Sequence, residues 1–267
     1  MIETTNTHAI RSALAFLSTN ALRNIVLLKM LTLFPDAVAC QYCEDHGDAG
    51  VLLLLPTQAT SFDRHAYPST QYVVLLSASS QELVRRLLAF VPQGVPLVFK
   101  LLHDADRQMV AEQFALRRAT AFISYTAPAG QHFVPSSIVR ASEEIDERCF
   151  VLYAAQGHSR EDLASYAATG SALTYTIYEA AAPIAACFTY PNFGNVHEIA
   201  GVYTIPSERR KGYARQLVAS ALHMLELRQS IPRYQVHEEN HASIGLAEAI
   251  GLRRFVTMEH WLTEGRR

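Results

Sequence analysis

Cysteine, tryptophan and net charge are all scarce in this 267-residue chain, which has four cysteines, one tryptophan and a formal net charge of -2. Cys40, Cys43, Cys149 and Cys187 are too few and too scattered to form a disulfide framework in a chain this long, so reduced thiols are expected. Cys40 and Cys43 make a CxxC with His46 three positions further on. A structural zinc needs four ligands, and no second CxxC or HxxxH supplies them, so these read as buried strand cysteines and no metal is expected. Near-neutral charge gives no broad field for nucleic acid or an anionic membrane, and neither is expected as a partner. Apolar runs such as Val51 to Leu55 fall far short of the roughly 20 residues of a membrane helix. Glu3 stands where a signal peptide would carry basic residues, so the expected location is the cytoplasm.

What is present is an ordinary globular composition, 49% hydrophobic and 18% charged, with enough length for one large core or two. Its most informative stretch is Val202 to Ala214, VYTIPSERRKGYA. Val202 to Ile205 suits a strand; Pro206 removes a ladder donor and ends it. Beyond Ala214, Leu217, Val218, Ala221, Leu222 and Leu225 recur at the spacing of one helical face, so a helix is predicted to begin around Gly212. Its first amides have no intrahelical acceptor, and Gly212 lets a phosphate approach them. Arg209, Arg210 and Lys211 add positive charge at the same mouth.

The segment resembles the acyl-CoA loop of the GNAT acetyltransferase superfamily, whose RxxGxA pattern matches Arg209, Gly212 and Ala214. Two further pieces follow in the family's order: a strand, RYQVHEE, ending at Asn240, and a helix, NHASIGLAEAI, closed by Gly251. Local chemistry agrees, since Asn caps helix N-termini and Gly takes the left-handed C-terminal position. The resemblance covers about Ile138 to Leu262 and is greatest to glycine N-acyltransferase-like members, through Glu198 in HEIAGVYTIP and through YQVHEEN.

The resemblance implies an α/β GNAT fold, a mixed and mostly antiparallel sheet flanked by helices. It also implies acetyl-CoA, or another acyl-CoA, as co-substrate. Cofactor contacts fall on Val202, Tyr203, Thr204, Arg209, Arg210, Lys211, Gly212, Tyr213, Ala214, Arg215, Asn240 and Ser243. A bulge around Val202 to Thr204 is expected to turn a backbone amide toward the thioester carbonyl. Glu198, eight positions before Pro206, is the expected general base, on a face shared with Ala200, Val202 and Thr204 if the strand is unbulged there. Apolar neighbours would raise its pKa. His197 is expected to point the other way, and His237 and Glu238 are reserve candidates. Ala247 stands where many family members place a tyrosine acid, leaving Ser243 and Tyr203 as possible donors.

The expected reaction is transfer of an acetyl or other short acyl group from CoA to the primary amine of a small molecule or amino acid. The alternatives are acetylation of a protein amine and a non-catalytic acyl-CoA-binding module.

Composition shifts at Ala127 to Ser137, APAGQHFVPSS, which sets expected domains at 1–130 and 137–267. The first half alternates candidate strands (Ala37 to Tyr42, Val51 to Leu55, Tyr72 to Ser77, Leu97 to Leu101) with helical patterns (Leu22 to Leu33, Gln81 to Phe90, Asp104 to Arg117). It is therefore α/β: a degenerate copy of the same fold, as the resemblance suggests, or an unrelated domain.

Overall fold

The computed structural model describes residues 2–264. Met1 and residues 265–267, included in the expected domain ranges, lie outside the described residues, as does the Glu3 side chain. The chain divides into two compact units, one of Met1–Phe122 with Val256–Arg267, the other of Ile123–Phe255.

The first unit runs α1 (Ile2–Ser18), α2 (Ile25–Leu33), β1 (Ala39–Asp45), β2 (Asp48–Pro56), α3 (Ser61–Ala66), β3 (Tyr72–Ala78), α4 (Gln81–Leu88), β4 (Leu97–Leu101), α5 (Asp104–Ala111) and the start of β5 (Leu116–Thr126). β1, β2 and β3 pair antiparallel, β3 and β4 parallel. Leu52, Val74, Leu76 and Phe99 pack under Val84, Leu87 and Leu88 of α4. Ser80 caps that helix through Leu83 N–H, as its position before an amphipathic run requires.

The helical pattern expected to run to Arg117 stops at Ala111. The chain then turns into a strand, Leu116–Thr126, exposed near its start and buried on both faces from Ile123 to Thr126. Helices α1 and α3 were not anticipated.

The second unit continues with β6 (Arg140–Ser142), α6 (Phe150–Ala154), α7 (Arg160–Ala167), β7 (Leu173–Glu179), β8 (Ala182–Phe193), β9 (Val196–Thr204), α8 (Tyr213–Leu227), β10 (Ile231–His237), α9 (His241–Ile250) and only the first residues of β11 (Arg253–Thr263). β6 to β9 form an antiparallel run, β10 pairs parallel with β9, and β5 lies next to β10. One core places α8, through Leu217, Val218, Ala221, Leu222 and Leu225, against Tyr175, Cys187 and Ile199 of the sheet. A second places Tyr153 of α6 and Leu163 of α7 against Ala186, Phe188 and Tyr190.

The compact units divide between Phe122 and Ile123, a few residues ahead of Ala127 to Ser137. Phe133 is buried in the core of the second unit, and Gln131 Nε2 donates to the Ile250 carbonyl at 3.1 Å. Prolines and a glycine here mark a packed irregular segment rather than a linker. At the end of the chain, β11 residues Glu259 to Leu262 pair with β4 within the first unit.

All four cysteines are free thiols; Cys40, Cys149 and Cys187 are buried. Cys40 and Cys43 both stand on β1, where Cys43 is half-buried. Among the described residues no helix is long and apolar enough to cross a membrane, and no cluster of His, Cys, Asp and Glu is grouped to hold a metal.

Candidate active site

β9 ends at Thr204, a short turn of 3-10 helix covers Pro206–Glu208, and α8 opens at Tyr213. Gly212 is the helix N-cap at φ +83°, a left-handed conformation, and a Cβ there would enter open space. Arg210 is also left-handed, at φ +64°. The first intrahelical bond runs from Gln216 N–H to the Gly212 carbonyl, so the amides of Tyr213, Ala214 and Arg215 precede the helical ladder. They carry the positive end of the helix dipole.

A cleft of about 520 Å³ opens at this turn. Val202, Tyr203, Thr204, Arg209, Arg210, Gly212, Tyr213, Ala214, Arg215, Asn240 and Ser243 line it, all but one of the expected cofactor residues. The exception is Lys211, whose Nζ donates to Glu208 at 2.8 Å. Glu208 is itself buried and lines the cleft, together with Gln156, Ala242 and Leu246, none of them expected. Nothing in an RRK run signals that an acidic neighbour takes up its third charge. Arg209 Nε donates to the Thr204 carbonyl at 3.1 Å, tying the loop to the strand end. Asn240 Oδ1 accepts from Ser243 N–H at 3.1 Å, and Gly251 closes α9 at φ +91°, so both expected caps are formed. The Thr204 hydroxyl is buried without a hydrogen-bond partner among the described residues.

β9 is bulged one turn of strand before this loop. Ala186 pairs with Tyr203 and Phe188 with Ala200, so Gly201 and Val202 together face Cys187. Gly201 takes φ +61°, as a glycine-based bulge demands. A Cβ there would overlap the Phe188 ring, 2.8 Å from its Cδ1. The bulge corrects the expected face: Glu198 and Ala200 share a side with Tyr203, opposite Tyr190, Phe188 and Ala186, and not with Val202 and Thr204.

Glu198 occupies a fork between strands. β10 pairs with β9 over Ile231 to Arg233 only, ending where Arg233 faces Glu198. Arg233 Nη1 donates to Glu198 Oε2 at 2.6 Å and Asn192 Nδ2 to the same oxygen at 3.0 Å. Gln235 N–H donates to Oε1 at 3.2 Å, so the carboxylate stands in for the next strand acceptor. The ion pair is buried on both sides, at 5% and 6% side-chain exposure. The expected apolar surroundings are therefore corrected to a guanidinium, an amide and a backbone N–H. Arg233, a charge inside an otherwise strand-like RYQVH, was the signal available for this partner.

His197 is buried, its ring near the Asn195 carbonyl at 3.4 Å; burial lowers its pKa. Ala247 is fully buried. His237 and Glu238 do not line the cleft. Tyr166 stacks on Tyr190 with centroids 3.9 Å apart, beside Phe188, on the Glu198 side of the sheet.

Residues 140–252 match the model of the acetyltransferase (GNAT) family. A search of curated proteins found no match. Among solved structures, the chain is similar to an acetyltransferase of the GNAT family from Colwellia psychrerythraea, with TM-score 0.61 and 10% identity over 92% of this chain and 97% of the other. A GCN5-related N-acetyltransferase from Sphaerobacter thermophilus gives TM-score 0.60 and 13% identity over 91% and 86%. A tandem GNAT protein from the clavulanic acid biosynthesis pathway gives 0.55 and 13% over 91% and 88%. At such identities the likeness establishes fold. Taken with the matched segment, it identifies the fold as GNAT.

Proposed function

We propose that this chain is an N-acyltransferase that moves an acetyl or other short acyl group from CoA to a primary amine of a small molecule or amino acid. One observation carries the reading: the glycine-capped start of α8 opens into the same cleft as the end of β9, just beyond its bulge. Amides of Tyr213 to Arg215, with Arg209 and Arg210, suit a diphosphate. Asn240, Ser243 and the Thr204 hydroxyl suit the amides of a pantetheine arm. The glycine N-acyltransferase-like subtype rests on the HEIAGVYTIP and YQVHEEN strings alone.

Acyl transfer needs a free amine, a donor for the oxyanion, and a proton for the thiolate. We assign the oxyanion to a backbone amide of Val202 to Thr204, the stretch of β9 that runs from the Gly201–Val202 bulge to the strand end. Ala247 brings no hydroxyl, so Ser243 and Tyr203, both lining the cleft, are the donors available to the thiolate. A thiol with a pKa of about 8.5 leaves readily with modest help.

The resemblance gives Glu198 the role of general base, but its contacts favour an anchor that holds the strand fork. Arg233 and Asn192 hold its Oε2 and Gln235 N–H holds its Oε1. Glu198→Gln is expected to destabilise the protein by about 3–5 kcal/mol, because Arg233 keeps a buried, uncompensated charge. Lost turnover at unchanged stability would return the base role to Glu198.

The test of function is thiol release from acetyl-CoA across a panel of amines. Amine-dependent release is expected; binding of acetyl-CoA with no release on any amine would make the chain a binding module instead.

A further inference from the structure

The connection between α6 and α7 carries a titratable side chain, His158. His158 lies between Gly157, at φ +81°, and Ser159. Its N–H donates to the Tyr153 carbonyl at 3.2 Å. Ser159 opens α7 with a capping box in which Asp162 N–H donates to the Ser159 hydroxyl and the Asp162 carboxylate accepts from Ser159 N–H. The loop is thus tied at both ends.

The imidazole meets Phe188 edge to face, with centroids 4.9 Å apart and planes at 80°. Phe188 is the ring that fills the space above the Gly201 bulge. Gln156, two residues before His158, lines the cleft. His158 therefore stands one aromatic ring away from the bulged strand, on the side of the sheet that carries Glu198. Among the described residues neither ring nitrogen has a hydrogen-bond partner, whereas both oxygens of Glu198 accept hydrogen bonds.

The titratable groups around it are Tyr153 of α6, Asp162 and Tyr166 of α7, Tyr190 of β8 and Glu198 of β9. Burial pushes the His158 pKa below its usual 6.5, opposed by Asp162. The ring is accordingly neutral at physiological pH, as a proton acceptor must be.

Resting on the N-acyltransferase reading, we propose that His158 is the catalytic residue that takes the proton from the attacking amine. The free amine adds to the thioester carbonyl, forming the C–N bond and a cationic nitrogen. One N–H proton passes to His158, directly or through one water. The C–S bond then breaks, the amide forms, and the thiolate takes up a proton as His158 returns to neutral.

The experiment is a pH profile of thiol release for the wild type, His158→Gln and His158→Ala, with melting temperature and acetyl-CoA affinity measured for each. The expected loss in kcat for His158→Gln is about 100-fold, with affinity for acetyl-CoA unchanged. The amine's own protonation gives kcat/KM one acid slope in every variant; the further steepening below about pH 6.5 in the wild type should vanish. Added imidazole should restore turnover to His158→Ala. A His158→Gln protein within about threefold of wild type, with the steepening below about pH 6.5 intact, overturns the assignment. A wild type that binds acetyl-CoA and releases no thiol overturns the N-acyltransferase reading instead, and the histidine's role with it.

Discussion

Gly201 meets two conditions that no other residue meets together: a left-handed backbone and no side chain against Phe188. Gly201→Ala should cost at least about 2 kcal/mol, from overpacking and from left-handed strain. Chemical denaturation measures that loss; an unchanged midpoint would mean that the bulge is not required. Asp106 illustrates the opposite economy, a carboxyl buried at 6% exposure with one oxygen unpartnered among the described residues. Burial raises its pKa from 3.8 to about 6, against the pull of Arg23. The folded state then holds a proton that the unfolded chain releases. This group's contribution is fully present below about pH 3.8 and is lost as pH rises through about 6. A shift of that size corresponds to at most about 3 kcal/mol. Asp106→Asn should therefore gain stability over the wild type at pH 8 and lose that advantage at pH 4, as read by melting temperature at each pH.

At the scale of elements, β11 binds the end of the chain into the first unit, where Met258 and His260 are buried and His260 bonds the Tyr67 hydroxyl. Truncation after residue 255 should strip hydrogen-exchange protection from β4, its pairing partner. Retained protection there would show that the strand is dispensable. The C-terminal elements were legible because each carries local punctuation: Pro206 ends β9, Gly212 and Asn240 open helices, and Gly251 closes one. The unit assignment of β11 was not legible, since it depends on a pairing partner more than 150 residues away in sequence, at Leu97–Leu101. Likewise Ala127 to Ser137 has the composition of a linker, and only the tertiary packing of Phe133 shows otherwise. The site divides the same way. Residues of the glycine turn could be read from spacing, whereas the Arg233 contact to Glu198 and the Phe188 contact to His158 arise from strand pairing and helix packing.

On the scale of the whole molecule, the near-neutral chain gathers Arg209, Arg210 and Arg215 at one cleft. Under the proposed function, local charge and unpaired amides, rather than an overall field, would recognise the anion. Raising ionic strength should accordingly weaken a diphosphate ligand while leaving some affinity from the amides. The most direct test is calorimetric titration of acetyl-CoA into the wild type and into Gly212→Asp. The account predicts saturable heat for the wild type and at least about a tenfold weaker affinity, 1.4 kcal/mol, once a carboxylate stands at the amides. No heat with the wild type, or equal affinity in the two proteins, would contradict it.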